Sequence, residues 1–395
     1  MKIGFLRFNL PIEIYLPAAS LNKLGTEFRY GLLHDWIQLG YEVNIYSEVV
    51  KRDVNLIHGK SLLANKWNTK WMRELNYCYG EYPKDEDVLV VECGPTNTRF
   101  GSREEPYILH TAKLLDKYEG RVVYWQHDGK LSFPFGEVFK TKRMSKEDIA
   151  RYGPTHFPYI FGNYDVMKNK EWKILHSALN EEKFLKNTYT RDGSSYWDFR
   201  DILNFEFITP GHSNINPLLE IKDNPKWDCM FVGGEFSGSM KSGTKKISRF
   251  EDIKIFCDRS EIKFALIGRW YEETIKKFDH IKYLGRLGNH GDVYYFYNDS
   301  YTCLWVQGKY YNEIGWIVPR PIDALRGGSI PLADERIYGI KKFYDPDYVV
   351  NPDNILDKIE EIKNLTPEDR HELRLKLLSK FPKWLEMDWE KILLN

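Results

Sequence analysis

Two acids, Glu313 and Asp323, frame the segment of this chain with the clearest chemistry. Glu313 stands at a turn that carries Gly315, and Asp323 lies on the short helix that follows, with Arg320 between them. The segment then stops at Gly327-Gly328 and enters an apolar strand at Ile330. Such a segment can hold a nucleotide sugar. A glycine turn brings backbone N–H groups near the donor, and a helix N-terminus carries partial positive charge for a diphosphate. A carboxylate on the next turn accepts the two hydroxyls of a ribose. Helical spacing puts Arg320 and Asp323 on one face. Asp323 therefore reads as the ribose acceptor, Arg320 as a phosphate ligand, and the turn around Glu313 as the contact for the transferred sugar. The bland alternative for Arg320 and Asp323 is an ion pair within the helix.

Gln126-His127-Asp128-Gly129 directly follows a strand that ends at Trp125, where catalytic groups of α/β folds sit. His127 can bond a sugar hydroxyl. Asp128 can take a proton from an acceptor hydroxyl, or steady positive charge as a glycosidic bond opens. No third ligand lies at a metal-binding spacing, so a metal site is not expected. Gly25, before the N-cap candidate Thr26, lets the backbone approach a ligand in the cleft, yet the segment is not Gly-x-Gly-x-x-Gly. The stretch from Gly233 to Arg249 mixes small residues with Lys241, Lys245, Lys246 and Arg249, as suits a diphosphate, with Lys245 and Arg249 foremost. Arg269 and Arg286 each follow a strand that ends in glycine, and either can reach the nucleotide. The alternatives are a solvated loop and surface arginines paired with acids. His58, His156, His176 and His212 are assigned no role.

These residues need a scaffold of strands alternating with helices. Short apolar strands are predicted over 2–6, 43–46, 88–91, 121–125 and 172–175, with helices over 26–39 and near 106–118. A second series runs through 205–208, 229–232, 264–267, 281–284, 301–306 and 330–332. Three of its strands end in glycine, and open α/β sheets bind ligands at the carboxyl ends of their strands. The Pro/Gly/Asn-rich stretch 210–217 marks the domain boundary region, and 382–394 reads as a closing helix. The expected organisation is an α/β fold of two facing Rossmann-like, doubly wound domains with the active site in the cleft between them. The first domain spans 1–205, the second 206–380, and a C-terminal helix over 381–395 packs back on the first.

Bulk properties agree with two ordinary domains. The chain has 395 residues, 42% apolar and 29% charged, so it can bury substantial cores. Aromatics reach 15%, which suits stacking surfaces. The formal net charge is zero, so an anionic partner must meet a local basic patch. Cys78, Cys93, Cys229, Cys257 and Cys303 form no Cys-x-x-Cys pair and read as reduced thiols in a cytoplasm. No apolar run nears the roughly 20 residues of a membrane span. The start of the chain passes straight into a strand pattern, so no signal peptide is expected.

The order of these motifs resembles the GT-B glycosyltransferases. Glu313 and Asp323 are similar to that superfamily's Glu-x7-Glu element, with a spacing two residues longer and Asp as the second acid. Residues 121–128, 174–177 and 325–331 resemble stretches of the DNA α-glucosyltransferases of T-even bacteriophages. The resemblance implies transfer of a hexose from a nucleotide sugar such as UDP-glucose, with retention of anomeric configuration and no covalent nucleophile. The leaving diphosphate would help draw off the acceptor proton, and donor binding would need no metal. The implied acceptor is a hydroxymethylated base in double-stranded phage DNA, flipped out of the stack. The basic stretch Lys140, Lys142, Arg143 and Lys146 is a candidate rim for it. The competing readings are a glycosyltransferase for a surface polysaccharide or a lipid-linked acceptor, and a non-catalytic sugar- or nucleotide-binding protein of the same fold.

Overall fold

A computed structural model describes residues 1–7, 31–47, 75–79, 81–93, 118–126, 172–187, 197, 200–201, 204–215, 218–237, 247–286 and 293–395. They divide into two compact units. The first gathers the opening strand, the described residues of Leu33–Thr209, and Leu385–Asn395; the second includes Pro210–Trp384.

The first unit is built on seven strands: β1 (Lys2–Arg7), β2 (Glu42–Ser47), β3 (Asn76–Tyr79), β4 (Val88–Cys93), β5 (Val122–Gln126), β6 (Trp172–His176) and β7 (Asn204–Phe207). All pair in parallel, in the order β3-β2-β1-β4-β5-β6-β7. Val88, Leu89, Val90 and Val91 are fully buried, as are Val122, Val123 and Tyr124. Such unbroken apolar runs belong to a parallel sheet covered on both faces. The helix Leu32–Gln38 occupies the later part of the predicted 26–39, and the earlier part lies outside the described residues. Gly40, at φ +79°, ends it in the left-handed region, where its N–H donates to the Ile37 carbonyl at 2.9 Å.

One expectation needs correction. The strand expected to open the second series at 205 is instead β7, the seventh strand of the first sheet, paired with β6 from Lys173↔Asn204 to His176↔Phe207. It is a short edge strand, partly exposed along its length, so its apolar content gave no hint of which sheet it joins. Residues 385–395 complete this unit. On the helix Trp389–Leu394, the Trp389 ring meets Trp36 edge-on at 5.4 Å between centroids and lies 5.8 Å from Trp125. Lys173 Nζ donates to the Ile392 carbonyl at 2.7 Å.

The second unit holds β8 (Trp227–Val232), β9 (Phe236–Ser237), β10 (Ile247–Ser248), β11 (Phe264–Ile267), β12 (Ile281–Tyr283), β13 (Ser300–Trp305), β14 (Ile330–Asp334) and β15 (Val349–Val350). Six form a parallel sheet in the order β12-β11-β8-β13-β14-β15, while β9 and β10 make a small antiparallel pair. The order runs away from β8 in both directions, so the switch point of the sheet lies between β8 and β13.

Two buried arginines fasten this unit. Arg370 donates to the carbonyls of Lys222 and Asp223 at 2.8 and 3.0 Å, and Arg374 to that of Leu219 at 2.5 Å. Neither has a carboxylate within 4 Å among the described residues, so backbone oxygens carry their solvation. Burial, with the nearby charge of Arg326, lowers the Arg374 pKa to about 10. No helix among the described residues is long and apolar enough to cross a membrane.

Candidate functional site

A doubly wound sheet binds ligands outside the carboxyl ends of its strands, at the switch point. In the second unit that place lies where β8 and β13 end, at Gly233 and Val306. The turns there are pressed close together. The Gly233 N–H donates to the Ile267 carbonyl, that of Gly268 to Gly285 and that of Glu235 to Arg269, each at 2.9 Å. Gly268 has φ +138°, and a Cβ on it would sit 2.0 Å from the Gly233 carbonyl oxygen. Glycine is therefore required there on two counts, backbone angle and space.

Arg320 stands over this point. It opens the eight-residue helix Arg320–Gly327, which ends at Gly328 in the left-handed region. Its guanidinium carbon lies 4.9 Å from the ring centroid of Phe231, near the end of β8. Nη1 donates to the Val306 carbonyl at 3.2 Å, just past the end of β13. A Cβ on Gly233 would come 3.3 Å from Nη2. No carboxylate pairs with Arg320 among the described residues, so the alternative of an ion pair with Asp323 does not describe this helix. Phe231 is itself backed by Trp270, edge-on at 6.4 Å, whose Nε1–H donates to the Gly233 carbonyl at 2.9 Å. The cation is thus held against an aromatic face at the switch point, and only one of its N–H groups has a hydrogen-bond partner among the described residues.

Asp323 lies one turn along the same helix and accepts from the Tyr294 hydroxyl at 3.2 Å. Both Arg320 and Asp323 act on buried Tyr297, whose hydroxyl is pushed well above its ordinary range by burial first, then by Cys303 and Asp323, with Arg320 opposing. Glu313 sits in the last turn of the helix Lys309–Ile314, not in an open turn, and Gly315 ends that helix at φ +61°. Gln307 pins this piece to the end of β13, donating from Nε2 to the carbonyls of Tyr311 and Trp316 at 3.3 and 3.0 Å.

Arg249 comes to the same glycine turn from the other side of the sequence, donating from Nη1 to the Gly234 carbonyl at 2.7 Å. It directly precedes the helix Phe250–Cys257. Arg269 and Arg286 are exposed beside their strand ends. Glu235, just past the end of β8, is a structural cap. Its buried carboxylate accepts from the Tyr271 N–H at 2.9 Å, the Thr274 hydroxyl at 2.8 Å and the Ser248 hydroxyl at 3.2 Å. It ties β10 to the start of the helix Glu272–Ile275. Gly25, His127, Asp128 and Lys245 lie outside the described residues; β5, which leads toward His127, ends at Gln126. No group of three metal-ligating side chains occurs among the described residues. Reading the sequence did not single out Phe231, Trp270 or Tyr294. Their only signal was position, at or just past a strand end or one helix away.

No family model matches the chain, and no curated protein does. Solved structures match it over its whole length. A T4 phage β-glucosyltransferase variant in complex with UDP-glucose has a TM-score of 0.63 at 14% identity, covering 100% of this chain and 99% of that one. The T4 phage protein in complex with UDP and Mn2+ gives 0.61 at 16%, with the same coverage. An α-glucosyltransferase in complex with UDP-glucose and DNA containing an abasic site gives 0.52 at 12%, also covering 100% and 99%. At these identities the likeness is one of fold: two Rossmann-like α/β units of the kind found in GT-B glucosyltransferases.

Proposed function

We propose that the chain is a glycosyltransferase that moves glucose from UDP-glucose to the hydroxyl of a hydroxymethylated base in DNA. The observation that carries the donor half is Arg320, a guanidinium at the switch point of the second sheet with no carboxylate partner among the described residues. Its fork suits the oxygens of a diphosphate. Asp323, one turn on, accepts the ribose hydroxyls, and Glu313 faces the hexose. Arg249 adds a second cation, with Lys245, Arg269 and Arg286 as further contacts. His127 bonds the transferred sugar together with Gly25, and Asp128 steadies the acceptor hydroxyl as its proton leaves. The acceptor half rests on proteins of the same fold that are seen with UDP-glucose and with DNA.

In this reading the glycosidic bond of the donor breaks as the base hydroxyl bonds to the anomeric carbon. The electron pair leaves on the diphosphate, where cationic side chains stabilise it. Retention is the stereochemical outcome proposed, with the departing diphosphate helping to take the acceptor proton. A β-linked product would assign inversion instead. The reaction belongs in the cytoplasm, where donor and DNA meet.

The test is incubation with radiolabelled UDP-glucose and hydroxymethylated DNA, plain DNA or no acceptor. Label on hydroxymethylated DNA only, lost in Asp128→Ala, is the expected result. Donor hydrolysis with no label on any DNA would move the acceptor to a polysaccharide or a lipid-linked sugar. The anomeric proton coupling of the product, read by NMR, separates retention from inversion.

A further inference from the structure

The carboxyl end of β14 carries an arrangement of charges that the donor site does not itself require. Asp334, the last residue of β14, is fully buried. Arg336 grips it: Nε donates to both carboxylate oxygens at 2.9 Å and Nη2 to Oδ2 at 2.6 Å. The same Nη2 reaches Oδ1 of Asp252 at 3.0 Å. Asp252 lies in the first turn of the helix Phe250–Cys257, and Arg249 is the residue at that helix's N-cap. Arg249 in turn donates to the Gly234 carbonyl at 2.7 Å, and its backbone N–H donates to the Glu235 carbonyl at 2.7 Å. Arg336 also lies over Phe256 on the buried face of that helix, 5.6 Å from the ring centroid.

The chain of contacts therefore runs from a sheet-anchored carboxylate, through a bidentate fork, to a carboxylate one helical turn from Arg249. A fork on a buried acid has little freedom left. Asp252 is held by it, and its carboxylate interacts electrostatically with Arg249, which precedes the same helix as its N-cap. A guanidinium on a long stem loses rotamer freedom when it grips a phosphate, and one already oriented loses less. We propose that Asp252 and Arg336 are positioning residues that hold Arg249 oriented for the diphosphate of a nucleoside diphosphate donor. This rests on the donor reading above, through Arg249. A tie serving only to pin helix to sheet would affect stability, and would affect every ligand alike.

The experiment is calorimetric titration of the full chain with UDP and, separately, with uridine, which lacks the diphosphate. The variants are Asp252→Asn, Arg336→Lys, Arg249→Gln and the Asp252→Asn/Arg249→Gln pair. Asp252→Asn leaves the fork on Asp334 intact, and Arg336→Lys keeps a cation against that buried acid. The expected result is a Kd for UDP about tenfold weaker in Asp252→Asn with uridine unchanged, a smaller loss in Arg336→Lys, and a double variant no weaker than Arg249→Gln alone. UDP bound equally well by wild type and Asp252→Asn would overturn the positioning role, as would equal losses for UDP and uridine. Failure of the wild type to bind either ligand would instead remove the donor reading, and this inference with it.

Discussion

The Cα of Gly268 and the carbonyl of Gly233 approach so closely that a β-carbon on Gly268 would sit 2.0 Å from the oxygen. The two residues end neighbouring parallel strands, β11 and β8, and their contact draws both turns against the place where Arg320 stands. Gly268→Ala would meet a backbone atom, which cannot swing aside as a side chain can, in a region of φ that L-residues avoid. We expect a loss of about 1–3 kcal/mol in the stability of the second unit, seen as a lower denaturant midpoint. UDP affinity should fall as well. Unchanged midpoint and affinity would mean that the turns can part freely.

Arg320→Ala should weaken UDP binding about 10- to 100-fold, the value of hydrogen bonds to a charged group, with little change in melting temperature. Arg320→Lys should recover only part of this. An ammonium keeps the charge but loses the planar fork and the stacking on Phe231. Equal affinity of the Lys variant and wild type, measured by calorimetry, would show that charge alone matters.

Asp323 is proposed to accept the ribose hydroxyls, so it should govern the choice between UDP and its 2′-deoxy analogue. Wild type should prefer UDP, and Asp323→Ala should bind both with similar, weakened affinity. A preference that survives the substitution would assign the ribose contact elsewhere.

The donor contacts proposed are side chains and backbone, so chelation should leave UDP binding unchanged. The comparison is one titration with EDTA and one with added Mn2+. A Kd that rises several-fold with EDTA would place a metal ion on the diphosphate.

Burial, aided by Glu81 and Glu86, pushes the Cys78 thiol up to about 11. At pH 8 its reaction with a disulfide reagent should be about two orders of magnitude slower than that of an ordinary thiol. The rate should climb with pH toward 11. The sign for stability follows: the fold disfavours the thiolate, so this contribution is complete below the usual thiol pKa and is lost as pH rises from there through about 11. Buried Cys257 and Cys303 are shifted in the same direction and should react only on unfolding.

Much of this was legible from local pattern. The runs at 88–91 and 264–267 are long enough and apolar enough to be buried strands, and Gly268 after the second announces a tight turn. The Arg320–Asp323 spacing could be read because a helix brings i and i+3 together. What could not be read depends on contacts between distant segments. β7 is short and half-exposed, and its sheet is decided by the edge that β6 offers. Glu235 lies in the Gly233–Arg249 stretch read as a diphosphate loop, and nothing local marks it as a cap. Only the fold shows its carboxylate satisfied by Tyr271, Thr274 and Ser248. Arg336 sits among ordinary charged residues in the sequence, and its partner Asp252 is far away along the chain.

The packing of Trp389 between Trp36 and Trp125 has a consequence for the order of folding. The first unit is completed by residues 385–395, which leave the ribosome only after the entire second unit has been made. Synthesis therefore produces an early sheet with an unfilled aromatic socket. That socket must wait, exposed to chaperones and to neighbouring nascent chains, until its plug arrives. Removing the plug should unfold a unit whose other residues were translated long before it.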